Sequence, residues 1–429
     1  MRPALAVAAA AVLAYLPSLW GVFHFDDYNV IVHYETVHSW QTLFERWGGG
    51  VRPLLKASYT LNWTLHPGEL GFVLFNIACH AMNAVLLYLV GEALFRERKA
   101  ALIAALLFAL HPAATEAVTY ISGRSSSMMA VFYLAAMLAY LRRAHWIVST
   151  ALFVLAVATR ETAVTLPAAL LLCELCRSDP LPWKEIARRQ WPHWTLLLAG
   201  GVFLLFNQRY FDLLAYGYGE RSLADNLVTQ VGGISYLALR LLSLQDYNID
   251  PALPTLTEWS EALRFQAVCL TVLFMLGIAN LRKRPWVAFG VLWFFLQLTP
   301  TNSIVPRLDV ANDRQLYLSS WGLFLAICIQ LRNLQRPLVA GALLVFAATS
   351  VARQLDYRSE IVLWESSVSL APWNARGHNN LGYAYQLAGR TKEARREYEA
   401  ALFFDPRHAK ARLNLMFLRD PEPDLRPKP

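Results

Sequence analysis

Long apolar runs separated by short polar stretches fill residues 3–22, 72–94, 100–119, 126–141, 145–160, 162–176, 194–208, 264–281, 286–299, 316–331 and 337–352. A helix needs about 20 residues to cross a hydrocarbon core, so the shorter runs must borrow flanking positions. The pattern predicts an all-α polytopic membrane protein with about eleven spans. A twelfth candidate, 226–244, is broken by Gln230, Gly232, Gly233 and Arg240. After about residue 353 the apolar runs stop and an amphipathic helical pattern takes over.

Loop charge decides the twelfth candidate. Arg96/Arg98/Lys99, Arg142/Arg143, Arg177/Lys184/Arg188/Arg189, Arg282/Lys283/Arg284 and Arg332/Arg336 are expected on the cytoplasmic side. Eleven spans with a cytoplasmic N-terminus place them all there. A twelfth would invert the last two clusters and bring Asp246, Asp250, Glu258 and Glu261 inside. Segment 226–244 is therefore read as a helix in, or re-entering, the outer interface. Residues 3–22 form a long apolar run whose basic flank is a single arginine and which no clear small-x-small site follows before Asp26, so they are read as a retained first span.

Composition agrees. Of 429 residues 56% are hydrophobic and only 16% charged, which excludes an ordinary soluble domain. The net charge of +8 follows membrane topology and implies no nucleic-acid partner. Cys79, Cys173, Cys176, Cys269 and Cys328 lie in apolar runs and read as packing residues, with no disulfide framework.

Polar chemistry collects in the segments expected outside. The first, 23–71, carries Asp26, Asp27, Arg52 and Lys56. The second runs from His111-Pro112 through Glu116 to Gly123-Arg124. Arg160-Glu161 is a third, and 300–316, with Arg307, Asp309, Asp313 and Arg314, a fourth. Carboxylates beside a transmembrane helix mark chemistry or an ion more often than packing. A carboxylate at a membrane-boundary cavity can deprotonate a hydroxyl, and arginines near it can hold a phosphate. Together they suit transfer from a lipid-linked phosphate donor to a hydroxyl acceptor. The competing readings are an Asp pair that caps a helix or pairs with Arg52 or Lys56. His24, Asp26, Asp27 and His33 have metal-ligand chemistry but no metal-motif spacing, so no cofactor is expected. His80 and Asn83 are read as interhelical hydrogen-bond partners.

Near the C-terminus, Leu381, Gly382, Tyr385, Gly389, Ala394, Tyr398, Ala401 and Pro406 fit the tetratricopeptide repeat of roughly 34 residues. Pro372 ends a preceding half-repeat, and Met416 stands where a following glycine would be. The predicted organisation is a membrane domain over 1–353, with its first outer loop at 23–71. A tetratricopeptide-like helical hairpin unit follows over 354–418, and a disordered tail over 419–429.

Several of these stretches carry a resemblance. Phe25-Asp26-Asp27, Arg52-Pro53-Leu54 and the Gly71-Phe72…Asn76…His80…Asn83 helix resemble the start of the transmembrane-and-tetratricopeptide-repeat mannosyltransferases. His111-Pro112-Ala113-Ala114-Thr115-Glu116-Ala117-Val118 with Gly123-Arg124 is similar to that family's His-Pro-x-x-Thr-Glu-Ala-Val…Gly-Arg block. Arg160-Glu161 resembles its Lys-Glu block. Asp313-Arg314-Gln315-Leu316-Tyr317-Leu318-Ser319-Ser320 resembles Glu-Arg-x-Leu-Tyr-hydrophobic-Pro-Ser, with Asp313 for Glu and Ser319 for Pro. The order of these blocks is more specific than any one of them.

The resemblance implies a GT-C glycosyltransferase bundle and a polyprenyl-phosphate sugar donor, commonly mannose. It implies inverting transfer to Ser or Thr hydroxyls of a protein acceptor, without an obligatory metal. Carried over, Asp26 or Asp27 is the base, with a slight preference for Asp27, and Glu116 assists. Arg124, Arg160 and Arg314 contact the phosphate, with Arg52 and Lys56 nearby. Composition and short loops suggest a bacterial inner-membrane protein whose active face and repeat unit are periplasmic. The alternatives are a non-catalytic membrane scaffold and a GT-C enzyme with a lipid or glycan acceptor.

Overall fold

A computed structural model describes residues 2–47, 51–206, 208–244 and 246–418; the expected tail, 419–429, lies outside them. The described residues form helices and helical turns with no strand. In order these are α1 (Arg2–Ala14), α2 (Trp40–Glu45), α3 (Pro53–Leu65), α4 (Glu69–Phe95), α5 (Arg98–Leu110), α6 (Thr115–Val118) and α7 (Arg124–Leu141). Then come α8 (Trp146–Thr159), α9 (Leu166–Cys176), α10 (Trp183–Leu205), α11 (Gln208–Glu220), α12 (Leu223–Arg240), α13 (Glu261–Ala279) and α14 (Pro285–Leu298). The last are α15 (Leu316–Gln330), α16 (Arg336–Leu355), α17 (Glu360–Leu370), α18 (Ala375–Leu387), α19 (Thr391–Phe404) and α20 (Ala409–Phe417).

The chain divides into two compact units. The first is Met1–Tyr247 with Leu253–Leu355; the second is Asn248–Ala252 with Asp356–Pro429. In the first, α4 packs on α1, α5 and α7, α15 on α5 and α14, and α14 on α9 and α13. Among the described residues five helices are long and apolar enough to cross a membrane, α4 and α13 among them. A sixth span results if α5 and Pro112–Val118, bent by 59° at His111, count as one. The eleven expected spans are thus not all long helices. Where polar motifs interrupt the apolar pattern the helices break, and α8 and α14 are only 14 residues each. On α13 and α16, Phe265, Val272, Leu338 and Leu344 stay exposed, the surface that lipid covers in a membrane protein. Residues 226–240 of the expected interfacial segment fall on α12.

Inside the unit, polar side chains of α4 face the bundle. Asn83 Nδ2 donates to the Ser127 carbonyl at 2.7 Å and to the Tyr317 hydroxyl at 3.0 Å. His80 reaches the Ala109 carbonyl through Nε2 (3.1 Å) and the Tyr317 hydroxyl through Nδ1 (2.9 Å). A carbonyl can only accept, so Nε2 carries the proton and Nδ1 accepts from Tyr317. Apolar surroundings make such internal partners obligatory.

The second unit is a set of paired helices. α18 and α19 are antiparallel neighbours, and Gly382 lets the Tyr398 ring approach: a Cβ at Gly382 would sit 2.8 Å from it. Ala394, Tyr398 and Ala401 on α19 are fully buried, as the repeat pattern expects.

Candidate active site

Four breaks between helices meet at one end of the first unit: the loop after α1, the α5–α7 turn, the α8–α9 turn and the segment before α15. Hydrogen bonds join them. Ser122 donates to Asp27 Oδ1 through its backbone N–H (2.8 Å) and through its hydroxyl. Asp27 Oδ2 accepts the His24 N–H at 3.0 Å. The Asp26 N–H donates to the Tyr120 hydroxyl at 3.0 Å. Glu116 Oε2 accepts the Arg314 N–H at 2.8 Å, and its Oε1 lies 3.5 Å from Arg314 Nε. Arg52 forms a two-pronged pair with Glu161, Nε to Oε2 at 2.8 Å and Nη2 to Oε1 at 2.5 Å.

The two aspartates are not equivalent. Asp27 is fully buried and its carboxylate takes three donors. Burial pushes its carboxyl up to about 6, opposed by the Ser122 and His24 donors. It fastens the first outer loop to the α5–α7 turn. Phe25, just before the pair, has φ +42°, a left-handed conformation costly for a bulky residue. Asp27 holds the loop there, which presents Asp26. Asp26 is only partly buried, and its charge acts on Arg314 and on buried Tyr120.

A partly open cleft is lined by Ser126, Thr162, Gln297, Thr301, Tyr317, Arg160 and Arg314, among others; neither aspartate is among its lining residues. Arg160 is 6% exposed. It donates to the Ser126 hydroxyl and, at 3.4 Å, to Ser125, while its Nε has no partner. Burial, then repulsion from Arg52 and Arg314, pushes the Arg160 guanidinium down to about 9. Arg307 is pushed down the same way, chiefly by burial, with Arg314 and Arg52 opposing its charge. A buried cation with incomplete partners costs several kcal/mol in general. A multiply charged anion in the cleft would relieve that cost, because guanidinium forks match phosphate oxygens.

The other expected phosphate contacts lie elsewhere. Arg124 is fully buried. Its Nε donates to Asn76 Oδ1 (2.8 Å), Nη1 to the Ser58 carbonyl (3.1 Å) and Nη2 to the Phe72 carbonyl (3.0 Å). The rings of Tyr59, Phe72 and Phe75 surround it. It ties α3, α4 and α7 together and is not among the cleft residues. Lys56 lies over the Tyr34 ring, 3.4 Å from the Tyr34 hydroxyl. Arg52 stays within the electrostatic reach of Arg160 through its Glu161 pair. Among the described residues no group of three or more His, Cys, Asp or Glu is placed to hold a metal ion.

Gly123 sets the approach of this turn to Glu116. A Cβ there would lie 2.1 Å from the Glu116 carbonyl oxygen, so backbone would have to move. Gly123→Ala is expected to lower stability by about 3 kcal/mol, read as a drop in melting temperature of the detergent-solubilised protein.

Sequence reading missed Ser122, Tyr120, Ser126, Gln297, Thr301 and Tyr317. A signal existed for some. Ser125-Ser126-Ser127 opens an otherwise apolar helix, and Gln297 and Thr301 stand four apart at the end of α14.

No protein-family model matches the chain, and no solved structure matches it. Curated relatives do. It is 25% identical over 95% of its length to a protein O-mannosyl-transferase of Caenorhabditis elegans, spanning 63% of that protein. Against human protein O-mannosyl-transferase TMTC4 the figures are 24%, 92% and 65%, and against human TMTC1 26%, 95% and 56%. A stretch of 190 residues is 36% identical to Drosophila melanogaster Tmtc1. The chain thus spans between half and two thirds of the human and worm relatives' lengths. With its helical membrane unit and paired C-terminal helices, the chain is similar along nearly all its length to protein O-mannosyl-transferases of worm and human, and along part of it to one of fly.

Proposed function

We propose that the protein is an integral-membrane glycosyltransferase that passes a sugar, most simply mannose, from a polyprenyl-phosphate donor to Ser or Thr hydroxyls of proteins on the extracytoplasmic face. The supporting observation is the cleft in which partly satisfied Arg160 sits with Arg314, in whose field Asp26 lies. In this reading the donor phosphate meets Arg160 and Arg314 with its lipid among the helices. Asp26 takes the proton of the acceptor hydroxyl as its oxygen attacks the anomeric carbon. The bond from that carbon to the phosphate oxygen breaks on the opposite side, so the configuration inverts. The leaving polyprenyl phosphate gains negative charge, which the arginines stabilise. Glu116 holds Arg314 through its backbone and side chain, and Asp27 positions Asp26. The names of the relatives support the choice of sugar and of protein as acceptor.

The direct test uses the purified chain in detergent with polyprenyl-phosphate mannose and a Ser/Thr-rich peptide. Labelled mannose is expected to appear on the peptide as an alkali-labile adduct. Transfer from a nucleotide sugar without lipid donor, or no transfer from any lipid-linked hexose, would overturn the reading.

A further inference from the structure

The second unit contains five residues that come from far earlier in the chain, Asn248–Ala252. They form no helix; α17 and α18 hold them by groups that read both main chain and side chain. Ser367 donates its hydroxyl to Asn248 Oδ1 at 2.6 Å, and Asn248 Nδ2 donates to the Ser367 carbonyl at 3.1 Å. Asn374 uses both ends of its amide. Its oxygen accepts the Gly377 N–H at 2.9 Å, capping α18, and its nitrogen donates to the Asp250 carbonyl at 3.0 Å. Arg376 grips the Asp250 carboxylate in a fork, at 2.7 and 2.6 Å. Trp373 Nε1 donates to the Ala252 carbonyl at 3.1 Å.

The contacts are selective. Asn248 both donates and accepts across Ser367, so an aspartate there would set a carboxylate oxygen against the Ser367 carbonyl. Asp250 alone supplies the planar pair of oxygens that matches the Arg376 fork. Asn248, Asp250, Asn374 and Ser367 are all under 5% exposed, so while the segment is bound its polar groups must find their partners within the site. The Asp250 N–H also bonds to Asn248 Oδ1 at 3.0 Å, which pre-forms the segment's bend.

We propose that α17 and α18 carry a binding site for a short polypeptide segment with an Asn-x-Asp pattern, and that residues 248–252 are its resident ligand, bound in cis. This does not depend on the glycosyltransferase reading. A tethered segment has an effective concentration on the order of millimolar. A free peptide with micromolar intrinsic affinity therefore binds the intact protein several hundredfold more weakly than one whose resident segment is disabled.

The test uses the full chain in detergent and a fluorescent peptide with the sequence of residues 246–254, read by polarisation. N248A/D250A is expected to bind the peptide at least one hundredfold more tightly than wild type. Adding R376A abolishes that gain, and a peptide with both Asn and Asp replaced by Ala does not bind. Should N248A/D250A not be recovered folded, Asp250→Asn keeps the shape, loses the fork and gives the same readout more weakly. A folded variant that binds no peptide, or binding that R376A leaves unchanged, would show that the segment is only a structural strut and would sink the proposal.

Discussion

Asp26→Asn is expected to reduce turnover of lipid-linked sugar by about 10²–10⁴-fold, the range for loss of a general base, with melting temperature and membrane insertion unchanged. Asp27→Asn is expected to fail differently. Asparagine offers one acceptor oxygen, so its Nδ2 would face either the His24 N–H or the Ser122 N–H, both of which donate to Asp27 now. That leaves a buried donor unpaired and costs about 1–3 kcal/mol. The Asp27 variant should lose stability as well as activity. Stability and initial rate measured on the same preparations separate the two roles. Full activity in D26N with a crippled, stable D27N would assign the base to Asp27 instead.

The second large effect falls on donor binding. Arg160→Ala is expected to raise the donor KM by roughly 10–100-fold, since a hydrogen bond to a charged group contributes about 1.5–3 kcal/mol. Its stability should hold or rise, because the substitution removes a buried cation whose Nε is unpaired and which Arg52 and Arg314 repel. Arg124→Ala is the counterpart. It strands the Asn76, Ser58 and Phe72 acceptors inside the helices, so folding suffers first. Thermal unfolding and donor titrations of both variants check the pair. A destabilised R160A with unchanged donor KM would refute the phosphate assignment.

The contrast between Arg124 and Arg160 shows how far the residue pattern reaches. Both arginines stand at the junction of an apolar helix and a polar turn, and both belong to family-like blocks. Their places in those blocks imply the same role for both. In three dimensions one meets an oxygen, two carbonyls and three aromatic rings, and the other meets two hydroxyls and an open cleft. Partner supply depends on helices α3 and α4 arriving from elsewhere, which spacing along the chain does not specify. Asp26 and Asp27 divide the same way, because Ser122 comes from a turn some hundred positions distant.

The apolar runs determined by themselves that this chain is helical and membrane-embedded, because lipid leaves a backbone no other partner than its own helix. The repeat spacing likewise located the paired C-terminal helices, whose small and aromatic positions interlock locally. The ordered blocks singled out the polar loops that the structure joins by hydrogen bonds. Only the tertiary structure decided which carboxylate is locked and which is presented, and which arginine is a strut and which an incomplete cation. It alone placed residues 248–252 against α17 and α18. Each of those outcomes is set by hydrogen-bond partners that meet across distant segments, and burial makes each partner count.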